Sequence, residues 1–223
     1  IFPKNNGRNF RALDVGCNIG LLMRSLRYVF PEGEINGIDI DPKSLEKAIP
    51  ESKESIIIGN FLNYKTDKKY DLILLNMVIE HLTNPKDFLE KANSLLKKGG
   101  KLYIGTPDIS SSKARIMGPN KWDLIQRDYQ YIGHILWFNQ ESLDWITKET
   151  KFERLSTHSL GEWIYEVPDQ LRNLFFSILG KTEDRNRFIK NYYLRMINAI
   201  ADAFLSRIFS YGDLIFAFYT KKD

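Results

Sequence analysis

A glycine-containing loop at residues 14–20, with the sequence DVGCNIG, is the first stretch whose residue types could do chemistry. It follows a short apolar segment and precedes a helical pattern, and such loops bring backbone N–H groups close to a ligand. A dinucleotide fingerprint, GxGxxG, would need glycines where this chain has Asn18 and Leu21. A P-loop would need Lys and then Ser or Thr after Gly20, and Leu21 and Leu22 stand there instead. The loop therefore fits neither phosphate-binding pattern.

An acidic residue lies where a nucleoside would need one. Asp39, in the sequence NGIDIDP, ends the second strand-like segment nineteen positions after Gly20. A carboxylate at that point can accept hydrogen bonds from both hydroxyls of a ribose. Because NAD enzymes carry an acidic residue at the same place, Asp39 alone does not distinguish one nucleoside cofactor from another.

Three residues are candidates for proton transfer. Glu80 and His81 follow a strand-like segment, and His134 lies beside a glycine in an aromatic stretch. Neutral imidazole can act as a general base near pH 7, and an ionised carboxylate within reach can do the same. A histidine that only anchors its loop gives the same pattern, so both interpretations stay open. His158 has the pattern of an ordinary strand residue.

The cysteine and histidine content argues against a metal centre. The chain has one cysteine and three histidines, none of them at the spacing of a zinc site, so we expect no bound metal. Cys17 is predicted to be a small buried residue that fills space. A single cysteine excludes an intrachain disulfide and suits a reducing, cytoplasmic compartment.

Length and charge limit the class of protein. A chain of 223 residues that is 43% hydrophobic can bury one sizeable core, which predicts a single domain over residues 1–223. The net charge of +4 comes without any block of five like charges, so no nucleic-acid surface is indicated. No run of 18 apolar residues and no signal peptide are present, so no transmembrane segment is expected. The sequence begins at Ile1 and not at Met, and we expect a further piece upstream.

Strand-like segments alternate with helical patterns, which predicts βαβ units and a mainly parallel sheet. The expected strands cover residues 10–15, 34–38, 55–58, 70–75, 101–105, 152–158 and 214–220. Helices are predicted after Asp41 and Asn84, each a capping residue followed by proline, and over residues 140–149. Gly99 stands where it could end the second of these helices.

Residues 161–211 separate the last two expected strands by far more than a hairpin loop. Two apolar stripes at helical spacing predict a pair of amphipathic helices here, a helical insertion that caps the substrate or forms a dimer surface. The second helix is not notably basic, which argues against a membrane-surface role. The aromatic residues Trp122, Tyr129, Tyr131 and Trp137 either line a substrate pocket or belong to the core.

The loop DVGCNIG resembles motif I of the class I S-adenosylmethionine-dependent methyltransferases, an acidic residue followed by x-G-x-G-x-G. Asn18 replaces the middle glycine, and asparagine tolerates a left-handed backbone better than most residues. Residues 70–108 resemble the fourth and fifth strands of the ubiquinone-biosynthesis-type small-molecule methyltransferases, with EHL after the fourth strand and a KxGGxL turn before the fifth. GNF at residues 59–61 and GHILWFNQESL at residues 133–143 resemble further segments of that group.

The resemblance implies a fold, a cofactor and a reaction. The fold is α/β, a Rossmann-like seven-stranded, mostly parallel sheet with helices on both faces and the last strand antiparallel. The reaction is the transfer of a methyl group from S-adenosylmethionine to an oxygen, nitrogen or carbon of a small molecule, with His81, His134 or Glu80 as base if the acceptor is a hydroxyl. The residues carried over to cofactor contacts are Asp14, Gly16, Cys17, Asn18, Gly20, Asp39, Ile40, Asn60, Phe61 and Asn76.

Two other functions stay open at this point. One is a methyltransferase-like module that holds the cofactor or a partner without catalysis, because Asn18 and Asn60 depart from the usual pattern and the insertion is unfamiliar. The other is a nicotinamide-dependent oxidoreductase, against which the missing glycines argue. A homodimer is possible in either case through residues 161–211.

Overall fold

The computed structural model describes residues 8–111, 114–115, 118, 134–160 and 214–222. The strands are β1 (Arg11–Val15), β2 (Glu34–Asp39), β3 (Ile56–Ile58), β4 (Tyr70–Asn76), β5 (Leu96–Pro107), β6 (Phe152–Leu160) and β7 (Leu214–Lys221). The α-helices of the described part are α1 (Leu21–Val29), α2 (Pro42–Glu46), α3 (Pro50–Lys53), α4 (Pro85–Leu95) and α5 (Gln140–Glu149). Apart from β5, the expected strands and the helix over residues 140–149 are confirmed with ends within two residues.

The strands form one seven-stranded sheet in the order β3-β2-β1-β4-β5-β7-β6. β1 pairs in parallel with both β2 and β4, so Val15 lies between Ile38 and Leu75. β7 runs antiparallel to both of its neighbours, β5 and β6. The expected sheet with an antiparallel last strand is therefore confirmed, and the carboxyl ends of β1, β2 and β4 meet at one edge.

Helices cover both faces of this sheet, because successive side chains of a strand point to opposite faces. In β4, Ile73 and Leu75 join a core cluster that includes residues of α4 and α5. Leu72 and Leu74 join a second cluster that includes Met23 of α1. The expectation of helices on both faces is confirmed.

The end of α4 differs from the prediction. Gly99 does not end this helix, which stops at Leu95 because the backbone of Leu96 is extended, with φ −74° and ψ 144°. Leu96 is buried and pairs with Tyr70, so the strand begins five residues earlier than expected. Gly99, with φ +69°, lies in the irregular stretch between that pair and the rest of the β4–β5 ladder.

One predicted helix cap is confirmed and one is wrong. The Asp41 side chain accepts a hydrogen bond from the backbone N–H of Lys43 at 3.0 Å and caps α2. Asn84 makes no such bond at the start of α4. Its backbone, with φ −133° and ψ 81°, lacks the extended geometry of Asp41 that carries the side chain over the first turn.

Two predictions lie outside the described residues: the helical insertion over residues 161–211, and the placement of Trp122, Tyr129 and Tyr131. Among the helices that the structure describes, none has both the length and the apolar character to cross a membrane.

Candidate active site

The loop after β1 turns through left-handed backbone at Gly16 (φ +73°), Asn18 (φ +46°) and Gly20 (φ +86°). The expectation that Asn18 can stand for a glycine is thereby confirmed in its backbone geometry. At Gly16 the loop also comes very close to the segment after β4, since an added Cβ would lie 2.5 Å from Val78 Cγ2. Any side chain at this position would have to push the two segments apart.

Hydrogen bonds from Ser52 and Arg27 connect the end of the glycine loop to β2, and the sequence analysis did not predict them. The buried Ser52 hydroxyl donates to the carbonyl of Gly20 at 3.1 Å and accepts from Arg27 Nη1 at 2.9 Å. Arg27 also donates to the carbonyl of Ile35 at 2.9 Å, which ties α1 to β2. An added Cβ on Gly20 would lie 2.5 Å from Ser52 Cβ, so Gly20 is needed for this packing. A single serine in a four-residue helix carries no recognisable sequence signal.

Asp39 organises the same loop from the end of β2. One carboxylate oxygen accepts from the backbone N–H of Asn18 at 2.8 Å, and the other accepts from the N–H of Asp41 at 2.9 Å. No cation among the described residues lies within salt-bridge distance of this carboxylate. Asp39 therefore both shapes the loop and presents its negative charge at the rim of the cavity described next.

A cavity of about 1070 Å³ opens at the carboxyl edge of β1, β2 and β4. Nine of the ten predicted cofactor residues line it: Asp14, Gly16, Cys17, Asn18, Asp39, Ile40, Asn60, Phe61 and Asn76. Gly20 does not, because its role is the packing against Ser52. The lining also includes residues that the sequence analysis did not name, among them Lys43, Lys47, Met77, Leu82 and Phe88.

The wall after β3 combines a polar and an apolar contact. Asn60 accepts a hydrogen bond from the N–H of Leu62 at 2.9 Å through its side-chain oxygen, which starts a turn of 3-10 helix. The Phe61 ring is buried and packs against Phe88, with the centroids 5.5 Å apart. Ile40, on the β2 side of the cavity, is 71% exposed.

Burial controls the charge of two residues at the base of the loop. Burial, with a smaller contribution from the Asp39 carboxylate, raises the pKa of Asp14 to about 7. Burial likewise raises the pKa of the Cys17 thiol to about 12, and the carboxylates of Asp14 and Asp39 add to the effect. A thiol that stays protonated is a poor nucleophile, which agrees with the expectation that Cys17 fills space.

The three predicted proton-transfer residues lie together. Glu80 is fully buried and accepts a hydrogen bond from the Thr106 hydroxyl at 3.1 Å, and burial raises its pKa to about 7. The rings of His81 and His134 lie 4.8 Å apart. His134 is brought there because the N–H groups of Ile135 and Leu136 both donate to the Glu80 carbonyl.

Access to the cavity separates the members of this cluster. His81 lines the cavity, whereas Glu80 and His134 are not among the lining residues. His134 is 7% exposed and packs edge-on against Trp137, with the centroids 4.8 Å apart. Nδ1 of His81 and Oε1 of Glu80 are buried and have no hydrogen-bond partner within the described part of the chain.

The same cluster has the donor types of a partial metal site. One nitrogen of each histidine and one carboxylate oxygen of Glu80 all lie within 4.8 Å of one another. Sequence spacing did not reveal this group, because His134 is more than fifty residues away from the other two. Among the described residues, Glu80, His81 and His134 form the group whose side chains could together hold a metal ion.

Two relatives share the part of the chain that carries this site. Malonyl-acyl-carrier-protein O-methyltransferase 1 of Ilyobacter polytropus is 30% identical over 110 residues, which cover 48% of this chain and 41% of the relative. The mitochondrial ubiquinone biosynthesis O-methyltransferase of Dictyostelium discoideum is 31% identical over 111 residues, which cover 43% of this chain and 34% of the relative. The chain thus spans less than half the length of either relative.

The fold and the family agree with these similarities. The crystal structure of a SAM-dependent methyltransferase from Archaeoglobus fulgidus superposes with a TM-score of 0.60 at 19% identity, over 96% of this chain and 86% of that one. The family model described as a methyltransferase domain matches residues 1–157, which include the glycine loop, Asp39 and the segment around Glu80. This chain therefore belongs to the methyltransferase domain family, in the class I fold whose cofactor is S-adenosylmethionine.

Proposed function

We propose that this protein transfers the methyl group of S-adenosylmethionine to a small-molecule acceptor. The observation that carries the proposal is one cavity lined both by the glycine loop with Asp39 and by His81. Its volume of about 1070 Å³ lies at the upper end of the range for small-molecule sites, about 300–1,000 Å³. A cofactor and the reacting end of an acceptor can share it.

The residues present fit the cofactor. Gly16 lines the cavity with backbone that carries no side chain, and its N–H group fixes this backbone by donating to the carbonyl of Ile38 at 2.8 Å. The Asp39 carboxylate at the rim suits the two ribose hydroxyls. The Asn60 amide N–H group is not used by its own turn and suits the adenine, beside the apolar surface of Phe61.

The reaction needs alignment more than it needs many catalytic groups. When bound, the cofactor supplies an electrophilic methyl group on a positively charged sulfur. Holding the acceptor in line with that methyl group can supply roughly 7–11 kcal/mol of the barrier reduction. We assign this alignment to the cavity walls after β1 and β4, which are held in close contact at Gly16 and Val78.

His81 is the proposed base for an acceptor hydroxyl. It lines the cavity, and because its Nδ1 is buried, Nε2 is the nitrogen that an acceptor could reach. His134 lies behind it, and Glu80 has no exposed surface, so these two are the second and third candidates. Both relatives named above are O-methyltransferases, which favours oxygen over nitrogen or carbon as the methylated atom.

The first experiment measures S-adenosylhomocysteine formation by the purified chain with a panel of phenols, catechols and carboxylic acids. Wild type should methylate at least one class, and His81→Ala should lose about 10²-fold or more in turnover at saturating cofactor while cofactor affinity holds. His158→Ala, which removes an exposed histidine on β6, should leave turnover unchanged.

Three outcomes would each contradict one part of this proposal: the small-molecule acceptor, the base or the absence of a metal ion. Failure to methylate any panel member would argue against a small-molecule acceptor. A loss of only a few-fold in His81→Ala, His134→Ala and Glu80→Ala alike would mean that alignment works without a base. Turnover that is lost in EDTA and restored by magnesium or zinc would assign the Glu80–His81–His134 cluster to a metal ion.

The proposal extends to the setting of the protein. We expect it to act in the cytoplasm, since a chain with a single cysteine suits a reducing compartment, and without a nucleic-acid partner, since no block of five like charges is present. Residues 161–211 are proposed to cap the acceptor or to pair two subunits. The solution mass of the full chain, with and without this segment, distinguishes the two roles.

A further inference from the structure

A hydrogen-bonded pair behind the cavity sets the orientation of one lining residue. The hydroxyl of Tyr103, on β5, donates to the side-chain oxygen of Asn76, the last residue of β4, at 3.1 Å. Burial and the nearby Asp14 carboxylate raise the pKa of Tyr103, so the phenol keeps its proton and stays a donor at neutral pH. The amide oxygen of Asn76 therefore faces Tyr103.

The pair is held by its surroundings. The Tyr103 ring packs against two aromatic side chains of β7, with centroids 6.0 Å from Phe216 and 5.1 Å from Phe218. Gly105 leaves the space for the bond, because an added Cβ would lie 2.5 Å from Asn76 Oδ1 and 2.9 Å from the Tyr103 hydroxyl. Three neighbouring strands thus specify which way the amide points.

The other half of that amide has no partner inside the described part of the chain. Asn76 lines the cavity, and its NH₂ group makes no hydrogen bond to a described residue. Asn76 follows Leu75, which pairs with Val15, so it lies beside Gly16 at the start of the glycine loop. An amide NH₂ group only donates, so it matches an acceptor on a ligand and repels a donor.

We propose that Tyr103 is a positioning residue that turns the NH₂ group of Asn76 toward the carboxylate at the amino-acid end of S-adenosylmethionine. This inference rests on the proposed function only for the identity of the cofactor. A terminal amide has two orientations of similar intrinsic energy. Without the Tyr103 hydroxyl the amide populates both orientations, and in one of them its oxygen opposes the carboxylate.

The test uses two ligands that differ at the end in question. S-adenosylhomocysteine carries the amino-acid end, and 5′-methylthioadenosine keeps the adenosine and the thioether but lacks it. Tyr103→Phe keeps the ring, and calorimetry on the full chain should give about two- to threefold weaker binding of S-adenosylhomocysteine, because only about half of the amides then face the ligand correctly, and unchanged binding of 5′-methylthioadenosine. Asn76→Ala should give the same pattern, about 10–100-fold.

A double variant and a control separate positioning from general damage. If Tyr103 acts through Asn76, Tyr103→Phe has no further effect in the Asn76→Ala background. Tyr219→Phe removes the hydroxyl of another buried tyrosine, one that donates to Asp144 away from the cavity, and should change neither affinity.

Four other results of these experiments would contradict the inference or a part of it. Additive losses in the double variant, or equal losses for both ligands, would mean that Tyr103 does not work through Asn76 on the amino-acid end. Unchanged S-adenosylhomocysteine binding in Tyr103→Phe would remove the positioning role alone. A wild type that binds neither ligand would overturn the proposed function together with this inference.

Discussion

The charged side chains at the amino ends of the parallel strands differ from those at the carboxyl ends in whether they form ion pairs. At the amino end, opposite charges are paired: Lys97 holds Asp71 at 2.7 Å, and Glu34 is bonded to both Arg11 and Lys68. These groups are partly exposed, and their bonds are complete without a ligand. Pairs of this kind each contribute up to about 1 kcal/mol to folding.

At the carboxyl end, acidic groups lack such partners. None of Asp14, Asp39 and Glu80 has a cation within salt-bridge distance among the described residues. Left-handed backbone does not distinguish the two ends, since Asn18 and Met77 have φ values of +46° and +57° here and Asn9, just before β1, has φ +64°. Acidic groups without a charged partner persist only where the surrounding fold holds them, and they gather at sites that bind ligands.

The first prediction compares two glycines with positive φ, one at each end. Gly16→Ala should lower the free energy of unfolding by about 2–4 kcal/mol, because it adds crowding against Val78 to the cost of the left-handed backbone. Gly99→Ala, at φ +69° with nothing within 4 Å of the new Cβ, should cost only the backbone part, about 1–2 kcal/mol. Urea unfolding of both variants measures this difference.

Equal losses in the two variants would contradict the close approach at Gly16. In that case backbone strain alone would account for both glycines. Val78→Ala in the Gly16→Ala background should recover part of the loss if the crowding is real.

The second prediction compares two aspartates. Asp39→Ala should weaken S-adenosylmethionine binding by about 1.5–3 kcal/mol, because it removes charged hydrogen bonds to the ligand and to the Asn18 N–H. Asp71→Ala removes a carboxylate from the amino end and should lower stability while leaving cofactor affinity unchanged. Titration calorimetry on both variants is the measurement, and tight NAD binding by wild type would count equally against the assignment.

The third prediction compares two glutamates whose pKa values move in opposite directions. Burial raises the pKa of Glu80 from 4.5 to about 7, so ionisation costs wild type stability as the pH rises from 4.5 to 7. The free energy of unfolding of Glu80→Gln should therefore rise by about 1–3 kcal/mol relative to that of wild type as the pH increases from 4.5 to 8. Urea unfolding at several pH values measures the change.

Glu34 should show the reverse sign. The hydrogen bond from Lys68 lowers its pKa, so its contribution is present above its ordinary pKa of 4.5 and is lost as the pH falls through the lowered value. Glu34→Gln should therefore cost less than about 1 kcal/mol at pH 7, because the pair is partly exposed, and nothing in strong acid. If both variants followed pH in the same direction, the contrast between the two ends would not hold.

Local patterns in the sequence were enough to predict the sheet and many of the residues that line the cavity. Alternating apolar segments located the seven strands, and the residue types of the loop after β1, with Asp39 at the end of β2, located the cavity rim. These features could be found because each depends on neighbours along the chain or on the rule that parallel strands present their carboxyl ends at one edge. The failure at Gly99 has the same origin, since the burial of Leu96 against Tyr70 overrode a local helix-end signal.

The tertiary structure alone decided which residues meet and what charge they carry. His134 joins Glu80 and His81 only because backbone N–H groups of the next two residues bond to the Glu80 carbonyl. The Tyr103–Asn76 bond exists because β4 and β5 pair side by side and Gly105, the β5 residue paired with Asn76, leaves room for it. The raised pKa values of Asp14 and Glu80 come from burial, which is a sum over atoms from many segments and has no counterpart in the spacing of residues along the chain.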